Sequence, residues 1–321
     1  IDAMAANKLN SFHWHLTDTH SFPFESTTFP QMTKYGAYSS NKVYSVNDIK
    51  NLVEYARVRG VRIIPEFDAP AHVGEGWQWA SKYNATLCFN AEPWRTFCVE
   101  PPCGQLNPAS EYMYDILRGI YSDMNNAFDS DIFHMGGDEV HFECWNRTEQ
   151  IINWMKEKNM DRDSAGFLEL WSYFQNRALS ILDSISEEQH PIVIWTSTLT
   201  KDENVANYLN NSRYIIQIWT KGDDKEIGQI INQNFSVIFS NYDALYFDCG
   251  FQAWIGSGNN WCSPYIGWQK VYDNDPIKLV TNLGIEVSEN PNIQKLILGE
   301  EAALWTEQAD DQSVDQRLWP R

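Results

Sequence analysis

Two carboxylates, Asp138 and Glu139, stand side by side in the stretch IFHMGGDEVHFECW at residues 132–145, behind an apolar run and two glycines. Paired carboxylates do general acid and base work, and they ordinarily come from different elements so that they can face each other across a bond. On an extended segment neighbouring side chains project in opposite directions, so an adjacent pair cannot easily flank one bond. A lone Asp-Glu pair is more often a solvated turn. Here the pair follows HMGG at the end of a strand signal, which turns the reading towards catalysis. A second constellation is His13-x-His15 in LNSFHWHL, where both imidazoles share one strand face. An HxH at a barrel strand end also suggests a metal-dependent hydrolase, with His72 and His134 as further ligands. The bland reading is packed, hydrogen-bonded histidines.

Other polar and aromatic groups fall in equivalent places, each where an apolar run gives way to loop: Asp18; Glu66, Asp68 and His72; Trp195; Trp219; Tyr242, Asp243, Tyr246 and Asp248; Trp305 and Glu307. The runs lie at 9–16, 61–68, 131–137, 192–197, 214–220, 236–241 and 295–305, seven strand signals separated by segments of helical periodicity. In the helix expected at 47–59, Ile49, Leu52, Val53 and Ala56 form one apolar stripe, SVND resembles a capping box and Gly60 can close the end. A second helix is expected at about 164–182, with Phe167, Leu170, Trp171, Phe174, Ala178 and Ile181 on one face. The long loop at about 242–275 carries Trp254 and Trp261 and is expected to belong to the site.

Strand and helix alternating this many times imply parallel strands joined by crossovers. A closed barrel needs eight strands. The chain opens on IDAMAANK, a helical tail running into a strand, and stops at DQRLWPR, which reads as the start of a helix. The expected fold is therefore α/β, a (β/α)₈ TIM barrel occupying residues 1–321 as one catalytic domain, with its first strand before Ile1 and its last helix after Arg321. An open doubly wound sheet competes, but no glycine-rich phosphate loop follows any of the runs.

Net charge is −19 with no Lys/Arg cluster, which argues against nucleic acid as a partner. No apolar run reaches the roughly 18 residues of a membrane span. Aromatic residues make up 14%, including 14 Trp, which fits either a Trp-rich core or flat faces for sugar rings. Six cysteines include two close pairs, Cys98 with Cys103 and Cys249 with Cys262, that look like stapled surface loops, and none has metal-site spacing. Sequons at Asn84, Asn146, Asn210 and Asn234 agree with a secreted or lysosomal protein.

HMGGDE, taken with HWHLTD, PEFDAPAHVG, SNYDALYFDCG and GEEAALWTEQ in this order, resembles glycoside hydrolase family 20, the β-N-acetylhexosaminidases. The resemblance runs from Ile1 to Arg321. AEPWRTFCVEPPCGQLNP and GSGNNWCSPYIGWQKVYDN are similar to the arthropod members that degrade chitin oligosaccharides.

A retaining glycosidase usually holds two carboxylates roughly 5 Å apart on opposite sides of the anomeric carbon. The resemblance implies instead that the substrate's acetamido group is the nucleophile, which makes an adjacent pair sensible. It implies Glu139 as general acid and then base, its proton affinity raised by the neighbouring Asp138 charge. It implies Asp138 as acceptor of the acetamido N–H and stabiliser of an oxazolinium intermediate. Tyr246 would donate to the acetamido oxygen, and Asp18 and His72 would form a relay behind the acid. Trp219, Trp254 and Trp305 would wall the acetamide pocket with Trp195 nearby, Asp248 and Glu307 would bind sugar hydroxyls, and Trp261, Val99 and Glu100 would form the next sugar subsite. A sugar-gripping arginine would come from the strand before Ile1. Cys88 and Cys144 would pair on family likeness, as the two cysteines left over. The substrate implied is a β-linked N-acetylglucosamine oligosaccharide, with no cofactor or metal, and a homodimer is open. Besides the metal hydrolase, a binding protein that lost catalysis is the remaining alternative; it need not keep Asp138, Glu139 and Tyr246 together.

Overall fold

The computed structural model describes residues 1–201 and 204–321. It falls into two compact units, Ile1–Leu199 and Thr200–Arg321.

The first unit contains β1 (Ser11–His15), β2 (Arg62–Glu66), the short β3 (Thr86–Leu87) and β4 (Gln105–Leu106), then β5 (Phe133–His134) and β6 (Ile192–Trp195). β1, β2, β5 and β6 lie side by side and parallel in that order. β3 and β4 pair with each other, antiparallel. Residues 62–66 run exposed then buried throughout, and residues 192–195 are wholly buried. That is why these strands read as continuous apolar runs rather than alternating ones.

Helices cover the sheet where the sequence periodicity puts them. In the helix Val46–Arg57, Ser45 and Asp48 form a reciprocal capping box, and Ile49 and Ala56 are buried. Gly60 follows in the left-handed region, φ 73°, and its N–H closes the end onto the Arg57 carbonyl. The helix Ser164–Ile185 starts at Asp163, whose carboxylate accepts the Gly166 N–H at 2.9 Å, and buries Phe167, Leu170, Trp171, Phe174, Ala178 and Ile181. It packs on the helix Glu111–Phe128, to which Arg177 is tied by paired bonds to Glu111 at 2.6 and 2.7 Å. Buried Asp123 of that helix gathers Ser26, Thr27 and Thr28, pinning the long segment after β1. Truncating Phe174, which has no exposed surface, would cost about 3–5 kcal/mol.

The second unit contains β7 (Tyr214–Ile218), β8 (Ser236–Phe239) and β9 (Ile297–Glu300), again parallel neighbours in that order. The helix Lys225–Asn232, capped by Asp224, buries Ile227, Ile230 and Ile231. The buried Gln217 amide donates to Ser240 Oγ at 2.8 Å and to Glu301 at 2.7 Å, tying the ends of all three strands together.

Each unit repeats the parallel strand-helix pattern, and the fold class is that of the (β/α)₈ barrel. Two expected strands are shorter than their runs. The run at 131–137 forms a regular strand only at Phe133–His134; Gly136 and Gly137 take positive φ and turn the chain, although the Gly136 carbonyl still accepts the Trp195 N–H at 2.9 Å. The run at 295–305 begins as the end of the helix Pro291–Leu296 and is extended only to Glu300. The loop at 242–275 holds short helices at Tyr242–Leu245 and Trp268–Tyr272. Three disulfides close in the structure: Cys88–Cys144, Cys98–Cys103 and Cys249–Cys262.

Candidate active site

Register builds the first cluster. His15 lies opposite Glu66 across the β1–β2 pair, and Glu66 lies opposite His134 across β2–β5, so the three form one row. His13, two residues before His15, and Trp195, two residues beyond the partner of His134, share that face by strand alternation. Glu66 is the centre of the row and has no exposed surface. Its Oε2 lies 2.7 Å from His15 Nδ1 and 2.9 Å from His13 Nε2, and its Oε1 accepts the Trp195 indole N–H at 2.7 Å. His134 Nδ1 lies 3.0 Å from the Gly136 backbone nitrogen and 3.3 Å from Glu66 Oε1.

From this row a chain of alternating imidazoles and carboxylates leads outward. His15 Nε2 is 3.1 Å from Asp18 Oδ2, Asp18 Oδ1 is 3.3 Å from His72 Nδ1, and His72 Nε2 is 3.3 Å from Glu139 Oε2 and 3.8 Å from Asp138 Oδ2. The side chains of His72, Asp138 and Glu139 are 17%, 14% and 19% exposed, so the chain stays partly open to solvent up to the carboxylate pair.

The backbone between Gly136 and Glu139 explains how neighbours reach one imidazole. Gly136, Gly137 and Glu139 all have positive φ, 63°, 84° and 48°, and the segment is a tight turn rather than an extended strand. Asp138 and Glu139 therefore do not diverge, contrary to the expectation for an extended run. His72 is also left-handed, φ 54°. His72 and Glu139 are thus both held in this sparsely populated region where they meet, at a cost of order 1–3 kcal/mol each. Gly136 is required at its position. A Cβ on it would stand 1.8 Å from Asp68 Oδ1, and that same oxygen accepts the Gly137 N–H at 2.8 Å.

Charges in the cluster are strongly interdependent. Burial pushes the Asp138 carboxyl up to about 6, His72 pulling it down and the Glu139 charge adding to the rise. Burial and the Asp138 charge push Asp68 well above the usual carboxylate range. Burial opposes the charge on His72, but Asp18, Asp138 and Asp68 outweigh it and hold the imidazole well above its ordinary value. Burial likewise opposes ionisation of Asp18, and the His72 charge and bonds from His15, His20 and His72 overcome it.

The second unit carries the aromatic cluster. A parallel bridge joins Tyr246 to Ala303, and the Phe247 N–H donates to the Ala303 carbonyl at 2.8 Å, which sets Trp305 with its ring 6.1 Å from that of Tyr246. Trp261 stands edge-on to Trp219 at 6.1 Å and to Tyr246 at 6.2 Å, and is 54% exposed. The Cys249–Cys262 disulfide packs beneath Tyr246 with Ile266, and Trp219 and Trp305 lie against this small core. Asp248 is buried beside it. Burial pushes its carboxyl up to about 6, its own backbone amide opposing and the Glu307 charge adding to the rise. Trp254 is half-buried on a loop pinched by the Gln252–Asn259 bridge.

The expected residues thus separate into those that meet and those that do not. Asp18, His72, Asp138 and Glu139 meet in the first unit; Trp219, Tyr246, Trp261 and Trp305 meet in the second, with Asp248 and Glu307 interacting nearby. Val99 and Glu100 ride on the loop closed by Cys98–Cys103. Trp195, expected beside the sugar pocket, is only 2% exposed, donates its N–H to Glu66 and packs on the His13 and His134 rings, so in the first unit it supports the carboxylate row. Glu66 and Asp68 take no role from the sequence alone, although a carboxylate inside an apolar strand run is itself a signal of a buried partner set. Gln105 is a further supporting group: its buried side chain accepts the His141 N–H at 3.0 Å, holding the chain just beyond Glu139.

Groups with metal-ligand donors do occur, such as His13, Glu66 and His134. Glu66 there already receives the Trp195 N–H and faces His15, so both of its oxygens are engaged by protein groups.

The family described as glycosyl hydrolase family 20, catalytic domain, matches residues 1–321. A chitooligosaccharidolytic β-N-acetylglucosaminidase of Ostrinia furnacalis is 52% identical over 322 residues, covering 100% of this chain and 52% of the relative, and one of Bombyx mori is 53% identical with the same coverage. The chain spans about half the length of the curated relatives it matches. A solved exo-β-N-acetylglucosaminidase from Vibrio harveyi, in complex with N-acetylglucosamine, superposes with a TM-score of 0.79 at 23% identity, covering 99% of this chain and 49% of that one. The strand-end carboxylate pair, the histidine behind it and a match over every residue lead to one assignment: the chain belongs to glycosyl hydrolase family 20 and carries its catalytic domain.

Proposed function

We propose that this domain removes terminal non-reducing β-linked N-acetyl-D-hexosamine residues with retention of configuration, using the substrate's own acetamido group as nucleophile. The observation that carries the reading is the convergence of Asp138 and Glu139 on one His72 nitrogen, at 3.8 and 3.3 Å. Two carboxylates on the same side of a turn cannot attack and protonate from opposite faces of a sugar, so the attacking group has to come from elsewhere. An acetamido oxygen carried on the carbon next to the anomeric centre is suited to it.

In this reading Glu139 gives its proton to the leaving oxygen as the acetamide oxygen bonds to C1 and the glycosidic bond breaks. Asp138, ionised, accepts the acetamido N–H and balances the positive charge of the oxazolinium ion. Glu139 then takes a proton from the water that opens that ion. Asp18 and His72 hold the acid and balance its charge changes. Tyr246 orients the acetamido oxygen, Trp219, Trp254 and Trp305 enclose its methyl group, and Asp248 and Glu307 bind sugar hydroxyls. Trp261, Val99 and Glu100 receive the next sugar.

Chitin oligosaccharides are the substrate we favour, on the strength of the two moth relatives. Three disulfides support a secretory-pathway location. Of the four sequons, Asn84, Asn210 and Asn234 are exposed and suit a glycan, whereas Asn146 is half-buried and bonded to Glu143 and Arg162. No described helix is long and apolar enough to cross a membrane. A homodimer is the assembly to test.

The experiment is a comparison, in the complete polypeptide, of an aryl N-acetyl-β-glucosaminide with the matching 2-hydroxy glucoside, each with and without a chelator. Cleavage of the acetamido sugar alone, unaffected by chelation, supports the reading. Equal rates on both sugars, or loss of activity with the chelator, would favour the metal-dependent alternative.

A further inference from the structure

His15 lies between two carboxylates, with Nδ1 2.7 Å from Glu66 Oε2 and Nε2 3.1 Å from Asp18 Oδ2. An ionised carboxylate can only accept, so a ring bonded to both must carry a proton on each nitrogen. Both neighbours are placed to be ionised. Glu66 takes the Trp195 N–H at 2.7 Å, and Asp18 takes the Thr19 backbone N–H as well as facing His72. The two Asp18 oxygens are divided between His15 on one side and His72 on the other, and His72 in turn meets Glu139.

We infer that His15 is a positioning residue of the acid's relay: a fixed imidazolium, locked in place by buried Glu66, that shares Asp18 with His72 and so limits how firmly His72 holds a proton against Glu139. The inference rests on the reading of Glu139 as the general acid. No proton needs to cross His15; its charge and its grip on Asp18 do the work. Glu66 is the anchor. Without it, His15 would lose the carboxylate that fixes its ring plane.

The groups facing His15 are Glu66 and Asp68 from the end of β2 and Asp18 from the loop after β1, with His20 3.8 Å from Asp18. Those facing His72 are Asp18, Asp68, Asp138 and Glu139. Removing the His15 charge from this set frees one Asp18 oxygen and strengthens the pull of Asp18 on His72. His72 then holds its proton more firmly against Glu139, which favours the carboxylate form of Glu139 and withdraws the acid.

The test is His15→Gln in the complete polypeptide, assayed on a chitin disaccharide and on an aryl glycoside whose leaving group departs without protonation. On the disaccharide kcat should fall by roughly tenfold or more with KM changed by less than about twofold, and the alkaline limb of kcat/KM should move to lower pH. The aryl glycoside should lose much less. Equal losses on both substrates with an unmoved limb would reduce His15 to a packing residue and overturn the inference. Nitrogen NMR of the unaltered protein decides the matter even if the variant does not fold: both His15 ring nitrogens should be protonated at neutral pH, and a neutral ring would overturn it. Failure of the parent reading shows separately, as equal cleavage of acetamido and 2-hydroxy sugars by the unaltered protein.

Discussion

His72 joins Asp18 to Glu139, its Nδ1 3.3 Å from one carboxylate and its Nε2 3.3 Å from the other, on a backbone held at φ 54°. Sequence places these three residues 54 and 67 positions apart, and only parallel strands ending at one edge bring them together. The arrangement predicts which substitutions should separate binding from chemistry.

Glu139→Gln keeps the shape of the side chain and removes the proton that the proposed acid donates. Hydrolysis of a chitin disaccharide should be abolished while binding, read by calorimetry, persists. Turnover at the unaltered rate would remove Glu139 from the acid role.

Asp138→Ala should lower kcat by roughly 100-fold or more, the scale of a removed electrostatic contact at developing charge. A change confined to KM would mean that Asp138 only binds.

The pH profile follows from the same residue. In the proposed mechanism Asp138 is ionised when it stabilises the oxazolinium ion, and burial pushes its carboxyl up to about 6, so activity should fall as the pH drops through that value. Asp248 also sits at about 6, so the two have to be told apart. Asp248→Asn should raise KM and leave the acid limb of kcat in place. Disappearance of that limb in the Asp248 variant would reassign it.

Gly136→Ala would bring a Cβ against Asp68 and impose a left-handed φ on an alanine. The expected result is a loss of about 1–3 kcal/mol in stability, measured by denaturant unfolding, together with a fall in kcat from a displaced Glu139. Unchanged stability and activity would show that the turn can relax.

Trp261→Ala should weaken longer chitin oligomers more than monosaccharide aryl glycosides, since this ring is the exposed member of its cluster. Equal effects on both would place it outside the second subsite.

How far these relations are legible in the sequence depends on their range. The helix at 46–57 is visible to within a residue or two because its cap, stripe and closing glycine are local features. The carboxylate pair is visible because a glycine pair follows an apolar run. The turn that brings Asp138 and Glu139 onto one imidazole is not, because its left-handed residues at 136, 137 and 139 depend on the close approach of Asp68 from another strand. Trp195 looks like its fellow strand-end tryptophans, and only the register of β5 and β6 shows that its N–H belongs to Glu66. Glu66 itself reads as one of many polar groups, because the three histidines that converge on it come from two other strands.

The most direct measurement of the central claim is kcat/KM for aryl β-glucosaminides carrying acetamido, monofluoro-, difluoro- and trifluoroacetamido groups. Each fluorine makes the carbonyl oxygen a poorer nucleophile while changing little else. If the substrate supplies the attacking atom, the rate should fall steeply and steadily along the series. A flat series would mean that the acetamide takes no part in bond formation, and the roles assigned to Asp138 and Glu139 would be wrong.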